Sequence, residues 1–216
     1  MDLRESNQYF SDRGVYNHLN SSKYRFYFAL KNISDFTLAL IGLIVTLPIL
    51  LLFSLAIILE TKGPAFFLQE RVGKNGKLFY IIKLRSMYTN AEKNGAQWAT
   101  KNDPRVTKVG FFIRKTRIDE LPQLINILKG DMSLIGPRPE RQIFTEQFNK
   151  EILGFKSRLA VKPGITGWAQ VNGGYDITPK EKLILDLHYI KNLSFIIDIK
   201  IIFKTIKVVF SGDGAR

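Results

Sequence analysis

Between Phe36 and Leu59 the chain reads FTLALIGLIVTLPILLLFSLAIIL, with no charged residue and hardly a polar one. As a helix rising about 1.5 Å per residue it would reach about 36 Å, more than the roughly 30 Å of a bilayer's hydrocarbon layer. A segment of this kind enters a membrane, so the rest of the chain must fold beside one. The run is too long, starts too far from the N-terminus and lacks the small-residue cleavage site of a secretory signal, so the mature protein is expected to keep it. Pro48 stands at its middle, where it removes a helical hydrogen bond and crowds the preceding turn. Lys23, Arg25 and Lys31 precede the run, and Lys62, Arg71, Lys74 and Lys77 follow it. Excess positive charge marks the cytoplasmic side, so both ends read as cytoplasmic. A helix that dips into one leaflet, breaks near Thr46, Leu47 and Pro48, and returns to the same face meets both observations. A kinked single span is the alternative, and it must find other partners for backbone groups freed at membrane depth.

A chain of 216 residues is long enough for one domain with a real core and an appendage. Its 32 Lys and Arg against 19 Asp and Glu give a formal charge of +13, which calls for an anionic partner: nucleic acid, lipid head groups or a phosphorylated substrate. Charge alone does not choose among these. The absence of cysteine excludes disulfides, thiolate catalysis and cysteine-ligated metals, and His18 and His188 are too few and too far apart for a histidine-rich zinc site. The remaining chemistry must use carboxylates, hydroxyls and cations.

Residues 1 to 30 read as a polar arm with scattered aromatics, residues 31 to 62 as the membrane segment, and residues 63 to 216 as the body of the protein. In GPAFFLQERVGKNGKLFYIIKLRSM, apolar runs flank Lys74-Asn75-Gly76-Lys77, the signature of a β-hairpin. These glycines lack the spacing of a phosphate loop. The stretch from Tyr88 to Arg105 reads as a polar loop with a short helix. VGFFIRKTR sets Phe111 and Phe112 beside Arg114, Lys115 and Arg117, which suits either a membrane-surface element or a core strand followed by a basic turn. GPRPE, residues 136 to 140, is a rigid loop presenting Arg138, and KPGITGWAQVNGG is a second loop carrying Trp168 and Asn172. From Ser194 to Phe210, Lys200, Lys204 and Lys207 recur at helical spacing among Ile, Val and Phe. That pattern fits a helix in the membrane interface or an amphipathic helix covering a soluble core.

RIDELPQL, residues Arg117 to Leu124, places Asp119 and Glu120 at the start of a helical pattern in which Leu121, Leu124, Ile125 and Leu128 recur and Gly130 is the stop. The two carboxylates are therefore expected in the helix's first turn, where acidic groups favour the positive helix end and Pro122 is tolerated. Helix stabilisation alone would account for them on an arbitrary helix. Here Arg114, Lys115 and Arg117 precede the pair and Arg138 and Arg141 follow it, cations able to hold a carboxylate ionised beside a phosphate. Successive helical residues point about 100° apart, so the two carboxylates are fitted for different tasks. One can attack while the other binds a hard cation such as Mg²⁺ together with substrate phosphates.

GPAFFLQERVGKNGKLFYIIKLRSM, RIDELPQLINILKGDMSLIGPRPE and VKPGITGWAQVNGG, in this order behind a proline-containing apolar segment, resemble the bacterial sugar transferase family, the monotopic phosphoglycosyl transferases. The resemblance runs from about Lys31 to the C-terminus. It implies an α+β, mostly helical fold: a re-entrant membrane helix broken at Leu47-Pro48, a small β-hairpin, and interfacial helices around a compact cytosolic catalytic domain at the bacterial inner membrane. It implies transfer of a sugar 1-phosphate from a UDP-sugar to polyprenol (undecaprenyl) phosphate with release of UMP, the first membrane step of glycan assembly. By the same resemblance Asp119 is the nucleophile, Glu120 binds Mg²⁺, and Lys83, Arg85, Arg114 and Arg138 contact the substrates. Nucleic acid is not an implied partner, membrane lipids are, and a homodimer is compatible. Leu84 stands where the family usually has Phe, Asn32 where a basic residue is common, and Gly174 where an Arg is common. Two competing readings are a basic tethered module without catalysis, which leaves the dyad unused, and a scaffold that keeps the fold without turnover.

Overall fold

The computed structural model describes residues 19, 21–93, 95, 97, 100, 103–173 and 177–211. Most of the expected arm, part of the loop from Tyr88 to Arg105, and Gly174 lie outside the described residues. The fold is mostly helical, with two small two-stranded sheets.

The longest element, α1 (Ser22–Glu60), has 39 residues and spans about 58 Å. It is the one described helix long and apolar enough to cross a membrane. It begins well before the expected start at residue 31, because its first turns bury side chains that look solvated in sequence. Tyr24, Tyr27, Lys31, Asp35, Ala39, Leu50 and Ile57 are all buried. They recur every three to four residues or multiples of that, so one stripe of the helix faces the body along nearly its whole length. The other faces leave Phe36, Ile41, Ile44, Val45, Leu51, Leu52 and Leu55 exposed. The interruption expected at Leu47-Pro48 is not a break in the helix: Pro48 lies inside it. Pro48 has no N–H to donate to the preceding turn, yet helix continues on both sides, and Thr46 donates its hydroxyl to the Gly42 carbonyl at 2.7 Å.

The hairpin is where the sequence placed it. Strands β1 (Phe66–Val72) and β2 (Leu78–Leu84) pair antiparallel, with Phe67 opposite Lys83 and Arg71 opposite Phe79. A 3₁₀ turn at Lys74–Gly76 joins them, and Asn75 takes the left-handed conformation (φ 56°) that asparagine tolerates better than most side chains. One hairpin face turns Phe79 and Ile81 inward onto Ala39 of α1.

VGFFIRKTR forms a helix, α2 (Lys108–Lys115), so the strand alternative falls. Thr107 caps it by accepting from the Gly110 amide at 2.9 Å. Phe111 and Phe112 are exposed, and Phe112 stacks on Phe53 of α1 at 5.5 Å between ring centres. The helix expected to start at Asp119 starts later: Ile118–Glu120 is a 3₁₀ turn, and α3 (Gln123–Leu128) begins after Pro122 at its N-cap. Leu121 is itself helical in backbone, but Pro122 cannot donate, and the regular helix forms only beyond it.

The second loop, KPGITGWAQVNGG, is partly regular. Strand β4 (Gly164–Thr166) pairs in parallel with β3 (Ser133–Ile135), and Trp168–Asn172 forms the short helix α5. A Cβ at Gly164 would meet the Gly136 nitrogen at 2.1 Å, so only glycine allows this close approach to the GPRPE loop. Helix α4 (Gln142–Glu151), the 3₁₀ segment Phe155–Ala160, α6 (Pro179–Lys191) and α7 (Phe195–Ser211) complete the body. Phe155, Tyr189, Ile190 and Ile201 form the centre of its largest apolar cluster.

A buried polar network binds α7 to α1. Asp198 accepts from Tyr27 at 2.7 Å, Tyr189 at 2.9 Å and Lys31 at 3.1 Å. Lys31 also lies 3.7 Å from Asp35, which accepts from the Ser133 hydroxyl at 2.6 Å. Buried charges persist only when paired and hydrogen-bonded in this way.

Candidate active site

The dyad is held in the 3₁₀ turn between α2 and α3, against the inner face of the hairpin. Arg117, immediately before it, adopts a left-handed backbone (φ 60°), uncommon for a side chain of this size. The bend reverses the chain after α2 and delivers both carboxylates into the interior. Asp119 is 7 % exposed and Glu120 8 %.

Their surroundings separate them. Lys83, from the inward face of β2, lies 3.1 Å from Glu120 Oε1, and Arg138, from the GPRPE loop, closes on the same oxygen through Nη2 while its Nη1 sits 3.4 Å from Oε2. Burial by itself would raise the Glu120 pKa, but the charges of Arg138 and Lys83 and the Arg138 hydrogen bond hold it well below the usual carboxylate range. Asp119 goes the other way. Burial and the neighbouring Glu120 charge push its pKa up to about 6, against the opposing pull of Lys83, Arg114 and Arg138. Two adjacent carboxylates in unlike fields are thus set apart in protonation, the pattern that permits distinct roles.

The structure brings Lys83 and Arg138 onto the dyad as the sequence suggested, and Arg114 acts on Asp119 through its charge. Arg85 is placed elsewhere. Its guanidinium donates to the Lys62 carbonyl at 2.6 Å, Thr61 at 2.8 Å and Gly63 at 3.3 Å, closing the C-terminal end of α1, whose last carbonyls have no helical partners. It closes the end of α1, and none of these partners belongs to the dyad.

Sequence reasoning missed the groups behind Arg138. Arg158 and Asp186 form a fully buried pair at 2.7 Å, and Arg158 also donates to the Arg138 carbonyl at 2.8 Å. Glu140 is bound by Lys182 and lies 4.0 Å from Arg71, which donates to the Pro139 carbonyl at 3.1 Å. Burial lowers the Arg71 pKa to about 10, and its Nε is buried without a partner among the described residues. These pairs join residues far apart in sequence, so no local pattern announces them. The bias of GPRPE toward charge between two prolines was the only available signal.

A hard cation could draw on Asp119 directly, but on Glu120 only by sharing the oxygens that Lys83 and Arg138 hold, and no group of three or more metal-ligating side chains occurs among the described residues. That suits an ion shared with substrate phosphates better than one caged by protein alone.

Comparison with known proteins agrees with this chemistry. A family profile described as "Bacterial sugar transferase" matches residues 26–212. The chain is 59 % identical over 150 residues, 69 % of its length and 84 % of the relative's, to a Bacillus subtilis (strain 168) protein called "Putative undecaprenyl-phosphate N-acetylgalactosaminyl 1-phosphate transferase". It is 49 % identical to a UDP-N-acetylgalactosamine-undecaprenyl-phosphate N-acetylgalactosaminephosphotransferase of Aeromonas hydrophila, over 88 % of this chain and 46 % of that one. Identity is 45 % to a UDP-glucose:undecaprenyl-phosphate glucose-1-phosphate transferase of Escherichia coli (strain K12), over 85 % of this chain and 40 % of the relative. The chain thus spans most of the Bacillus relative and under half the length of the other two.

Proposed function

The chain belongs to the bacterial sugar transferase family, and from that premise we propose that it transfers a sugar 1-phosphate from a UDP-sugar to undecaprenyl phosphate, releasing UMP, by way of a covalent intermediate on Asp119. The observation that carries the mechanism is the split dyad: one buried carboxylate clamped between two cations, the other left beside them with its pKa raised. In its ionised form Asp119 attacks the sugar-bearing phosphorus of the diphosphate. A new phosphorus–oxygen bond forms to its carboxylate as the bond to the UMP oxygen breaks, and that oxygen leaves with the electron pair. The acceptor phosphate then attacks the same phosphorus, and the carboxylate of Asp119 is freed.

Lys83 and Arg138 hold Glu120 in place, and their positive charges favour a diphosphate at the dyad. Arg158 fixes the Arg138 backbone from behind. Mg²⁺ would be held by Glu120, with Asp119 beside it, and when bound it would offset the negative charge of the phosphates.

For α1 we infer entry into one leaflet and return to the same face by a bend at Pro48 that leaves helix on both sides of it, with the body on the cytosolic side of the inner membrane. This rests on the two ends of the helix meeting the same body: Tyr27 and Lys31 hold Asp198 at one end, while Arg85 caps the other and Glu60 accepts from the Lys108 amide at 2.7 Å. A helix with its ends on opposite sides of a bilayer could not have both docked on one domain.

The test is UMP release by the purified protein in detergent with undecaprenyl phosphate and Mg²⁺, for wild type and Asp119→Asn, across UDP-N-acetylgalactosamine, UDP-glucose and other UDP-sugars. The N-acetylgalactosamine and glucose donors come first because the relatives above are named for them. Release lost in Asp119→Asn supports the covalent route. Normal turnover by the variant removes it, and failure of the wild type with every donor leaves the scaffold reading.

A further inference from the structure

The hairpin turn that guided the fold has no part in the chemistry above, yet it borders a cleft of its own. A cleft of about 220 Å³ lies between the turn and the Gly130–Asp131 bend, lined by Lys74, Lys77, Lys162, Asp131 and Phe79. Three lysines and one aspartate thus line it. Among the described residues none of the three lysines forms an ion pair, whereas other cations of the body, Arg138, Arg141, Arg158 and Lys182, each hold a carboxylate. Lys162 is anchored by donating to Asn32 at 3.0 Å, and Lys74 lies 5.4 Å from the centre of the Phe28 ring. Partial desolvation and, after it, the nearby Lys162 charge lower the Lys74 pKa, although the side chain stays exposed on the turn.

Phe28 and Asn32 lie on α1 one to two turns before the apolar run opens at Phe36. They therefore mark the boundary between hydrocarbon and head groups on the reading of α1 given above. A cleft tied to both residues sits at head-group height, and its unbalanced charge is positive. We propose that it is a binding site for a phosphate group, separate from the dyad, at the level where an anionic membrane lipid presents one. Lysine suits such a ligand, because it meets phosphate as a point charge with rotatable donors. The stem of Lys77 offers apolar surface to the adjoining glycerol and first methylenes.

The placement rests on the membrane reading of α1, while the experiment uses no donor sugar and so is independent of the transfer reaction. Detergent-solubilised full-length protein is titrated with dioctanoyl-phosphatidylglycerol, dioctanoyl-phosphatidylcholine or inorganic phosphate, and thermal unfolding is followed. The wild type should gain several degrees with phosphatidylglycerol and little with phosphatidylcholine. The gain should fall at least several-fold in Lys74→Gln/Lys77→Gln, whose residues are exposed on the turn, and should reach saturation at lower lipid concentration in Asp131→Asn. If inorganic phosphate alone reproduces the full gain and is equally lost in the double variant, the phosphate site stands but its lipid source is overturned. A gain that is the same in wild type and the double variant, or absent from both, overturns the site.

Discussion

At the scale of single residues, the unlike settings of Asp119 and Glu120 give opposite consequences for their removal. Asp119 has its pKa raised from 3.8 to about 6, so the folded protein binds its proton more tightly than the unfolded chain does. Stability is therefore lost as pH rises from about 4 to about 6 and stays lost above that window. Asp119→Asn should raise stability at pH 8 by on the order of 2–3 kcal/mol, and the gain should vanish near pH 4; urea unfolding at the two pH values measures it. Glu120 is depressed, and its stabilisation is present above the ordinary carboxylate range and lost only on strong acidification. Glu120→Gln leaves Lys83 and Arg138 facing a neutral group and should lower stability by up to roughly 3 kcal/mol in the same assay at neutral pH. If ionised Asp119 is the attacking group, UMP release should also fall below about pH 6, as a pH–rate profile would record. The sequence singled out the dyad and Arg138 through contiguous motifs and Lys83 through the family resemblance, and the structure places all four side by side. Arg85 was grouped with the substrate contacts by the family resemblance alone, and nothing local says that the end of α1 lies beside it. Arg158 and Asp186 were invisible, being a pair formed only by the fold.

Among the elements, α1 decides most. Its apolar stretch was readable from composition, and its first turns were not, since Lys31 and Asp35 look like surface residues until Asp198 and Ser133 are brought to them. Asp198→Ala would leave Lys31, Tyr27 and Tyr189 without their shared acceptor, and a loss of roughly 3–5 kcal/mol is expected from thermal or denaturant unfolding in detergent. The hairpin was legible because its turn chemistry is contiguous. By contrast α2 was ambiguous, since two adjacent phenylalanines fit a strand as well as a helix that leaves both exposed. The topology proposed for α1 is open to a direct trial because the chain has no cysteine of its own. Single cysteines at Lys23→Cys and Lys62→Cys should both react with a membrane-impermeant maleimide from the cytosolic side only. Labelling of one from each side would replace the re-entrant path with a span.

For the whole molecule, the charge of +13 and the exposed apolar surface of α1 act through different forces. Salt at about 1 M shortens electrostatic reach to about 3 Å and leaves apolar burial intact. Washing membranes with concentrated salt should therefore leave the protein bound, and detergent should release it; release by salt alone would mean that charge, and not α1, holds it there. The composition announced an anionic partner without choosing among nucleic acid, lipid and phosphorylated substrate. The family match narrows it, since the relatives are named for undecaprenyl phosphate and UDP-sugars, and a buried, cation-flanked dyad suits such phosphorylated substrates.

One stripe of α1 is fastened to the body from Tyr24 to Ile57, so helix and catalytic turn move as one piece. A hull joined rigidly to its keel has its waterline set by the keel. On the membrane reading proposed for α1, the depth at which it settles fixes how high Asp119 rides above the lipid, since the packed stripe ties the two together. On the proposed reaction the acceptor carries its phosphate at a height set by the surrounding lipids, so bilayer thickness becomes a control on turnover. Reconstitution in lipids with progressively longer acyl chains should then trace a rate optimum at one thickness, with the rate falling on either side.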